Sequence, residues 1–97
     1  MTQMEMKKMI DERLSLLELS LKHEFEQIEI NGEKCYKTSS NEIFTLTPLY
    51  SYNAIVIEYA DDIEKARANL YEDGDMFSME LYKEKDMLKA MLQEIMQ

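Results

Sequence analysis

Tyr71-Glu72-Asp73-Gly74-Asp75-Met76-Phe77 packs three carboxylates around a glycine and between two aromatic rings. Side chains of these types could ligate a hard cation, present charge and aromatic area to a basic partner, or mark a helix end followed by a strand start. The metal reading can be tested by alignment on the glycine. A twelve-residue EF-hand loop would run from Asn69 to Glu80, with Asp73, Gly74, Met76 and Glu80 at positions 5, 6, 8 and 12. Position 1 is then Asn69, where Asp is wanted, and position 3 is Tyr71, which has no carboxylate. Two ligands are lost, and the exiting helix would have to begin inside an apparent strand. No metal site is expected here.

Nucleophilic chemistry has little to build on. His23 is the single histidine and Cys35 the single cysteine. His23 falls at the end of the first helix, where a positive charge suits the dipole. Cys35 falls mid-strand, where a thiol is usually buried and inert. The chain contains no glycine-rich phosphate loop, no CxxC, no HExxH and no nucleophile elbow. No catalytic residue, cofactor or enzymatic activity is expected. What remains is binding. Glu58, Asp61, Asp62, Glu64, Glu72, Asp73, Asp75 and Glu80 crowd one third of the chain, with Tyr59, Tyr71, Phe77 and Tyr82 among them. Tyrosines offer large anchors at low entropic cost, and carboxylates steer and pair with Arg or Lys. The candidate partner-binding residues are Asp61, Asp62, Tyr71, Glu72, Asp73, Asp75 and Tyr82, with Tyr59 or Phe77 expected to be buried.

The elements that position these residues follow from periodicity. Met6, Met9, Ile10, Leu14, Leu16, Leu17, Leu21 and Phe25 share one half of a helical wheel, which predicts an amphipathic helix over 3–23. Asn31-Gly32 between two alternating runs predicts a type I′ hairpin, because both central residues need positive φ. A two-residue loop fixes the register: Ile30 opposite Glu33, Glu29 opposite Lys34, Ile28 opposite Cys35. Residues 42–50 read as a strand that is an edge, or ends, at Pro48, which has no N–H to donate. Residues 52–60 read as the central strand, since Ala54–Ile57 is apolar without alternation. Asp61 is the expected N-cap of a helix over 62–72, with Glu64 completing a capping box and Ile63, Ala66 and Leu70 as its buried stripe. Gly74 is the expected helix stop. A strand over 75–82 and a helix over 83–96, burying Met87, Leu88, Met91, Leu92 and Ile95, complete the order α-β-β-β-β-α-β-α. The fold class is α+β: one domain, 1–97, with a mostly antiparallel four- to five-stranded sheet and helices packed on one face.

Composition narrows the class of partner. The 97 residues include 45% apolar side chains, enough for one core, and eleven basic against twenty acidic residues give a net charge of −9. That balance opposes binding to nucleic-acid phosphates or anionic membranes and favours a basic protein. The single cysteine suits a reducing compartment. The first residues lack the apolar run of a signal peptide, and no stretch reaches the ~20 apolar residues of a membrane span, so a cytoplasmic location is expected. The chain is expected to be a monomer or a weak homodimer.

Residues 56–81, VIEYADDIEKARANLYEDGDMFSMEL, resemble a stretch of the small immunity proteins of bacterial polymorphic toxin systems. The shared features are a hydrophobic strand ending in Glu58-Tyr59-Ala60, a short helix with Ala66 inside it, the acidic turn Glu72-Asp73-Gly74-Asp75, a strand over Met76–Leu81, and a final helix carrying Met87 to Ile95. The resemblance covers about the last 40 residues and does not involve the first helix. It implies a cytoplasmic, stoichiometric inhibitor that blocks the active site of a cognate toxin domain, and the negative charge suits a basic nuclease. A phage-encoded acidic inhibitor of a nuclease defence system, of the anti-CRISPR type, would draw on the same features. So would a housekeeping subunit docking through its methionine-rich helices, or a metal-binding protein using Asp73, Asp75 and Glu80.

Overall fold

A computed structural model describes residues 2–96. It contains α1 (Gln3–Glu24), β1 (Glu26–Ile30), β2 (Glu33–Lys37), β3 (Ile43–Leu49), a 3-10 turn (Tyr50–Tyr52), β4 (Ala54–Ala60), α2 (Ile63–Arg67), β5 (Glu72–Ser78) and α3 (Glu84–Ile95). The five strands form one antiparallel sheet in sequence order, β1-β2-β3-β4-β5. The α+β class and the α-β-β-β-β-α-β-α order are those the sequence predicts.

The β1–β2 hairpin has the predicted register, with Ile30 opposite Glu33, Glu29 opposite Lys34 and Ile28 opposite Cys35. Asn31 and Gly32 have φ of 53° and 81°, as a type I′ turn demands. Pro48 behaves as an edge residue inside an inner strand. The β2–β3 ladder holds only Tyr36 opposite Phe44 and Lys37 opposite Ile43, so β3 at Pro48 has a neighbouring strand on the β4 side alone. The missing N–H deprives no ladder of a bond there.

Alternation along the strands divides the side chains between two faces. Tyr36, Phe44, Ile55, Ile57 and Phe77 share one face and form the main core with Ile10, Leu17 and Leu21 of α1 and Met87, Met91 and Ile95 of α3. Phe44 sits centrally, with its ring stacked on Tyr36 and edge-on to Phe25 at centroid distances of 5.3 and 5.1 Å. On the other face Ile30, Cys35, Ile43 and Ala60 form a smaller cluster with Ala66 of α2. The two long helices therefore cover one face, and α2 rests on one end of the other. Helix α1 buries a narrower stripe than its wheel suggests. Met9 and Leu16 flank that stripe and are 40% and 45% exposed, because a helix lying on a sheet touches it along one line of residues.

Several expectations for residues 61–82 are overturned. The N-cap of α2 is Asp62, whose carboxylate accepts from the Lys65 N–H at 2.8 Å; Asp61 instead pairs with the Lys65 ammonium. Moving the cap by one residue also dissolves the capping box with Glu64. Helix α2 has five residues rather than eleven, because Asn69 takes the left-handed conformation at φ 59°. The N–H groups of Asn69 and Leu70 then return to the carbonyls of Ala66 and Lys65, a Schellman stop. The hairpin contributes too, since the Asn31 side-chain amide donates to the Arg67 carbonyl at 3.0 Å. With the helix cut short, Ile63 and Leu70 are exposed and Ala66 alone of the expected stripe is buried. The following strand covers 72–78 rather than 75–82, and residues 79–82 form a turn in which the Leu81 and Tyr82 N–H groups return to the Ser78 carbonyl.

Asp62→Ala removes the side-chain N-cap of this short helix. A loss of about 1 kcal/mol is expected in denaturant titration, and Asp61→Ala should cost measurably less.

Candidate functional site

The structure brings most of the seven candidate residues together where β4, α2 and β5 meet. Asp61 and Asp62 sit where β4 gives way to α2; Tyr71, Glu72, Asp73 and Asp75 run into and along β5. Tyr59, Ala60, Asp61, Lys65, Leu70, Tyr71 and Glu72 line a cleft of about 290 Å³ between α2 and the start of β5. Tyr82 does not join them. It lies past the far end of β5, a strand ~20 Å long at normal rise. Its ring packs edge-on against Phe77 at 5.6 Å, and its carbonyl accepts from the Arg13 guanidinium at 2.9 Å.

Glu72-Asp73-Gly74-Asp75 is thus neither a turn nor a helix end. It is the first half of an edge strand, and the glycine has a packing role. Gly74 lies opposite a register shift between Val56 and Glu58 of β4. A Cβ built on it would stand 2.5 Å from Cε2 of Tyr59 and 2.9 Å from the Ile57 carbonyl oxygen. Neither distance is tolerable, so only glycine lets the strand cross the tyrosine ring here. The local irregularity is held from below by α3: the Asp75 N–H donates to Oε1 of Glu94 at 2.9 Å. Gly74→Ala forces Tyr59 to move or the strand to lift. A destabilisation of about 1–3 kcal/mol is expected by thermal unfolding, with a larger effect for Gly74→Val.

The tyrosines are fastened rather than free. Tyr71 is half-buried against the smaller cluster, with its hydroxyl 3.5 Å from the Cys35 sulfur. Burial first, then the Cys35 contact, pushes its pKa up. Cys35 is fully buried, whereas His23 lies exposed in the last turn of α1. Tyr59 lies partly buried against the main core. Its hydroxyl and Oε2 of Glu94 are both buried without a hydrogen-bond partner. Burial, with the Glu94 carboxylate adding to it, raises the Tyr59 pKa. Phe77, as anticipated, is buried.

The acids are unevenly compensated. Residues 58–75 hold seven acids and two bases, −5 of the chain's −9. Asp61 has Lys65 at 2.7 Å, but no ion pair among the described residues reaches Glu58, Glu72, Asp73 or Asp75. Glu58 and Asp73 are direct cross-strand partners. Like charges in that relation repel. Glu58 offsets part of this by accepting from the Thr47 hydroxyl at 2.5 Å. Asp73→Asn should therefore raise the melting temperature modestly, by about 0.2–1 kcal/mol of stability, and the gain should shrink as salt is added.

Two members of this region lie outside the seven candidates. Glu94 is nineteen positions from the amide it binds, and no local pattern announces that contact. Glu58 does carry a signal, the one carboxylate within the apolar run from Ala54 to Ala60. The twelve residues 69–80 that the EF-hand alignment tests are spread over a helix stop, a strand and a turn. An extended strand sends successive carboxylates to opposite sides, and no group of three or more His, Cys, Asp or Glu among the described residues could hold a metal ion. No helix among the described residues is long and apolar enough to cross a membrane. Comparison with protein-family models, with curated proteins and with solved structures returns no match to this chain.

Proposed function

We propose that this protein is a non-enzymatic, stoichiometric inhibitor of the immunity type. It would bind a cognate, basic toxin domain and occlude its active site. The observation that carries this reading is the row of uncompensated carboxylates along β4 and β5, Glu58, Glu72, Asp73 and Asp75, next to the half-buried Tyr71. Carboxylates left unpaired at an edge cost some stability in the free protein and gain when cations of a partner reach them. In a nuclease toxin those cations would be the ones that hold substrate phosphates, so the acids would act as phosphate mimics. The resemblance of residues 56–81 to immunity proteins agrees with this reading and adds a cytoplasmic setting.

The test is capture from native lysate with the tagged protein at about 50 mM and about 500 mM salt, since the screening length shortens severalfold across that range. A single basic protein should be retained, weakened at high salt, and lost with the Asp73→Asn/Asp75→Asn double variant. Purified, that protein should lose its activity at one equivalent of inhibitor. A partner that stays fully active in the complex, or binds the double variant equally well, would refute the proposal.

A further inference from the structure

We infer that β5 is a strand-addition edge, and that it takes an extended arginine- or lysine-bearing segment of a partner protein as a sixth strand of the sheet. This rests on the protein-binding reading above and specifies how the partner docks. β5 is the last strand in the order, with no strand among the described residues on its outer side. The Met79 N–H points inward, to the Asn53 carbonyl at 2.9 Å. By alternation Met76 turns its N–H and C=O outward, and its side chain is half exposed. β5 therefore offers main-chain groups to an incoming strand, the mode by which extended peptides join sheets.

The two edges of the sheet differ in charge, and that difference selects both edge and occupant. At the β1 edge, Glu29 faces Lys34 and Glu26 faces Lys37, with the second pair closing to 3.9 Å. Each of those carboxylates faces a basic residue across the hairpin, and the Lys34 ammonium itself closes on Glu18 at 3.1 Å. At the β5 edge, Thr45, Glu58 and Asp73 form one cross-strand row, and an incoming strand would place its next position ~4.8 Å beyond Asp73. A cation there would stand beside Asp73 and relieve its repulsion from Glu58. The neighbouring row ends in Glu72 opposite Tyr59, so a second basic residue would find a carboxylate too. The same acids work against a second copy of this chain, whose β5 would bring Glu72, Asp73 and Asp75 against their own kind. The occupant is a basic strand of another protein.

Short synthetic peptides of alternating arginine and valine, one all-L and one N-methylated at alternate residues, carry equal charge but differ in their ability to pair. They would be titrated into the isotope-labelled protein at low salt, with amide shifts and amide exchange read by NMR. The unmethylated peptide should bind and slow exchange of β5 amides about tenfold or more, and the methylated one should bind at least tenfold more weakly. Met76→Pro, which removes an outward N–H and is tolerable at an edge, should abolish the protection of β5. Asp73→Asn should weaken binding while raising the melting temperature of the free protein, an opposition that a merely structural residue would not produce. Equal binding of the two peptides, protection at β1 instead of β5, or no binding at millimolar peptide would each overturn strand addition. If any of these occurred while lysate capture still gave a partner sensitive to Asp73 and Asp75, the inhibitor reading would stand and the docking mode alone would fall.

Discussion

Phe44→Ala should come close to unfolding the protein. Phe44 is fully buried at the point where β2, β3 and α1 meet. It stacks on Tyr36 and receives the edge of Phe25, the residue at which the chain leaves α1 for β1. Truncation removes the ring, leaves a cavity and loses two aromatic contacts. Such changes cost about 3–5 kcal/mol. A domain of this size has about 5–15 kcal/mol in all. The β2–β3 ladder has only two residue pairs, and Phe44 belongs to one of them, so little backbone pairing is left to hold the hairpin if the ring is lost. A fall in melting temperature of about 15 °C or more is expected by circular dichroism. Phe44→Leu, which keeps most of the volume, should recover more than half of the loss. A drop of only a few degrees for Phe44→Ala would mean that the hairpin is held chiefly by α1 and that its seam with β3 contributes little.

That seam also marks the boundary between what was legible in the sequence and what was not. The Asn31-Gly32 hairpin could be read to the residue, because turn chemistry there is local and the loop length sets the register. The strand expected over 42–50 follows from its β-branched and aromatic residues, and its edge character at Pro48 from one missing donor. What the sequence could not show was which neighbour Pro48 would lack. That depends on the β2–β3 ladder closing after two pairs, a matter of how the hairpin splays over α1.

The candidate site was half legible. Its charge is a property of composition, and the clustering of acids over 58–75 is visible by inspection. The backbone carrying them differs from the sequence expectation, for a physical reason. Gly74 after an apparent helix looks like a C′ residue, and the helix does end in a Schellman motif, but Asn69 supplies the left-handed conformation. Asparagine tolerates that region well enough to stop a helix five positions before the glycine. Gly74 was then free for another use, the close crossing over Tyr59, which is a tertiary contact with no sequence signature. The N-cap is Asp62 rather than Asp61. Either acid could have served, and the choice depends on where β4 lets go of β5. Tyr82 was grouped with Tyr71 because both flank the acidic stretch. An extended strand between them puts them at opposite ends.

Alkaline pH should unfold the protein through its tyrosines. Tyr36 is 1% exposed, and its hydroxyl is buried with no hydrogen-bond partner. Burial chiefly, then the nearby Glu18 carboxylate, pushes its pKa from 10.0 up to about 12. Tyr59 and Tyr71 are shifted in the same direction, again by burial first. The sign follows from proton binding. Below pH 10 these phenols are protonated in both states and the stability is intact. As pH rises from 10 toward 12, the unfolded chain releases the Tyr36 proton while the folded chain holds it, so stability falls by roughly 1.4 kcal/mol per pH unit. Tyr36 alone then accounts for a loss of about 2–3 kcal/mol by pH 12, and Tyr59 and Tyr71 deepen it. In a spectrophotometric titration, these three tyrosines should ionise late and cooperatively with the loss of helical signal. Tyr36→Phe separates this effect from the general rise in negative charge. It removes an unsatisfied buried hydroxyl, so it should be neutral or slightly stabilising at pH 7, about 0–1 kcal/mol. It should also flatten the decline of stability above pH 10 by about one proton's worth. If the variant unfolds along the same alkaline curve as the parent, the Tyr36 hydroxyl reaches water in the native state, and the splayed β2–β3 seam beside it is the route by which it does so.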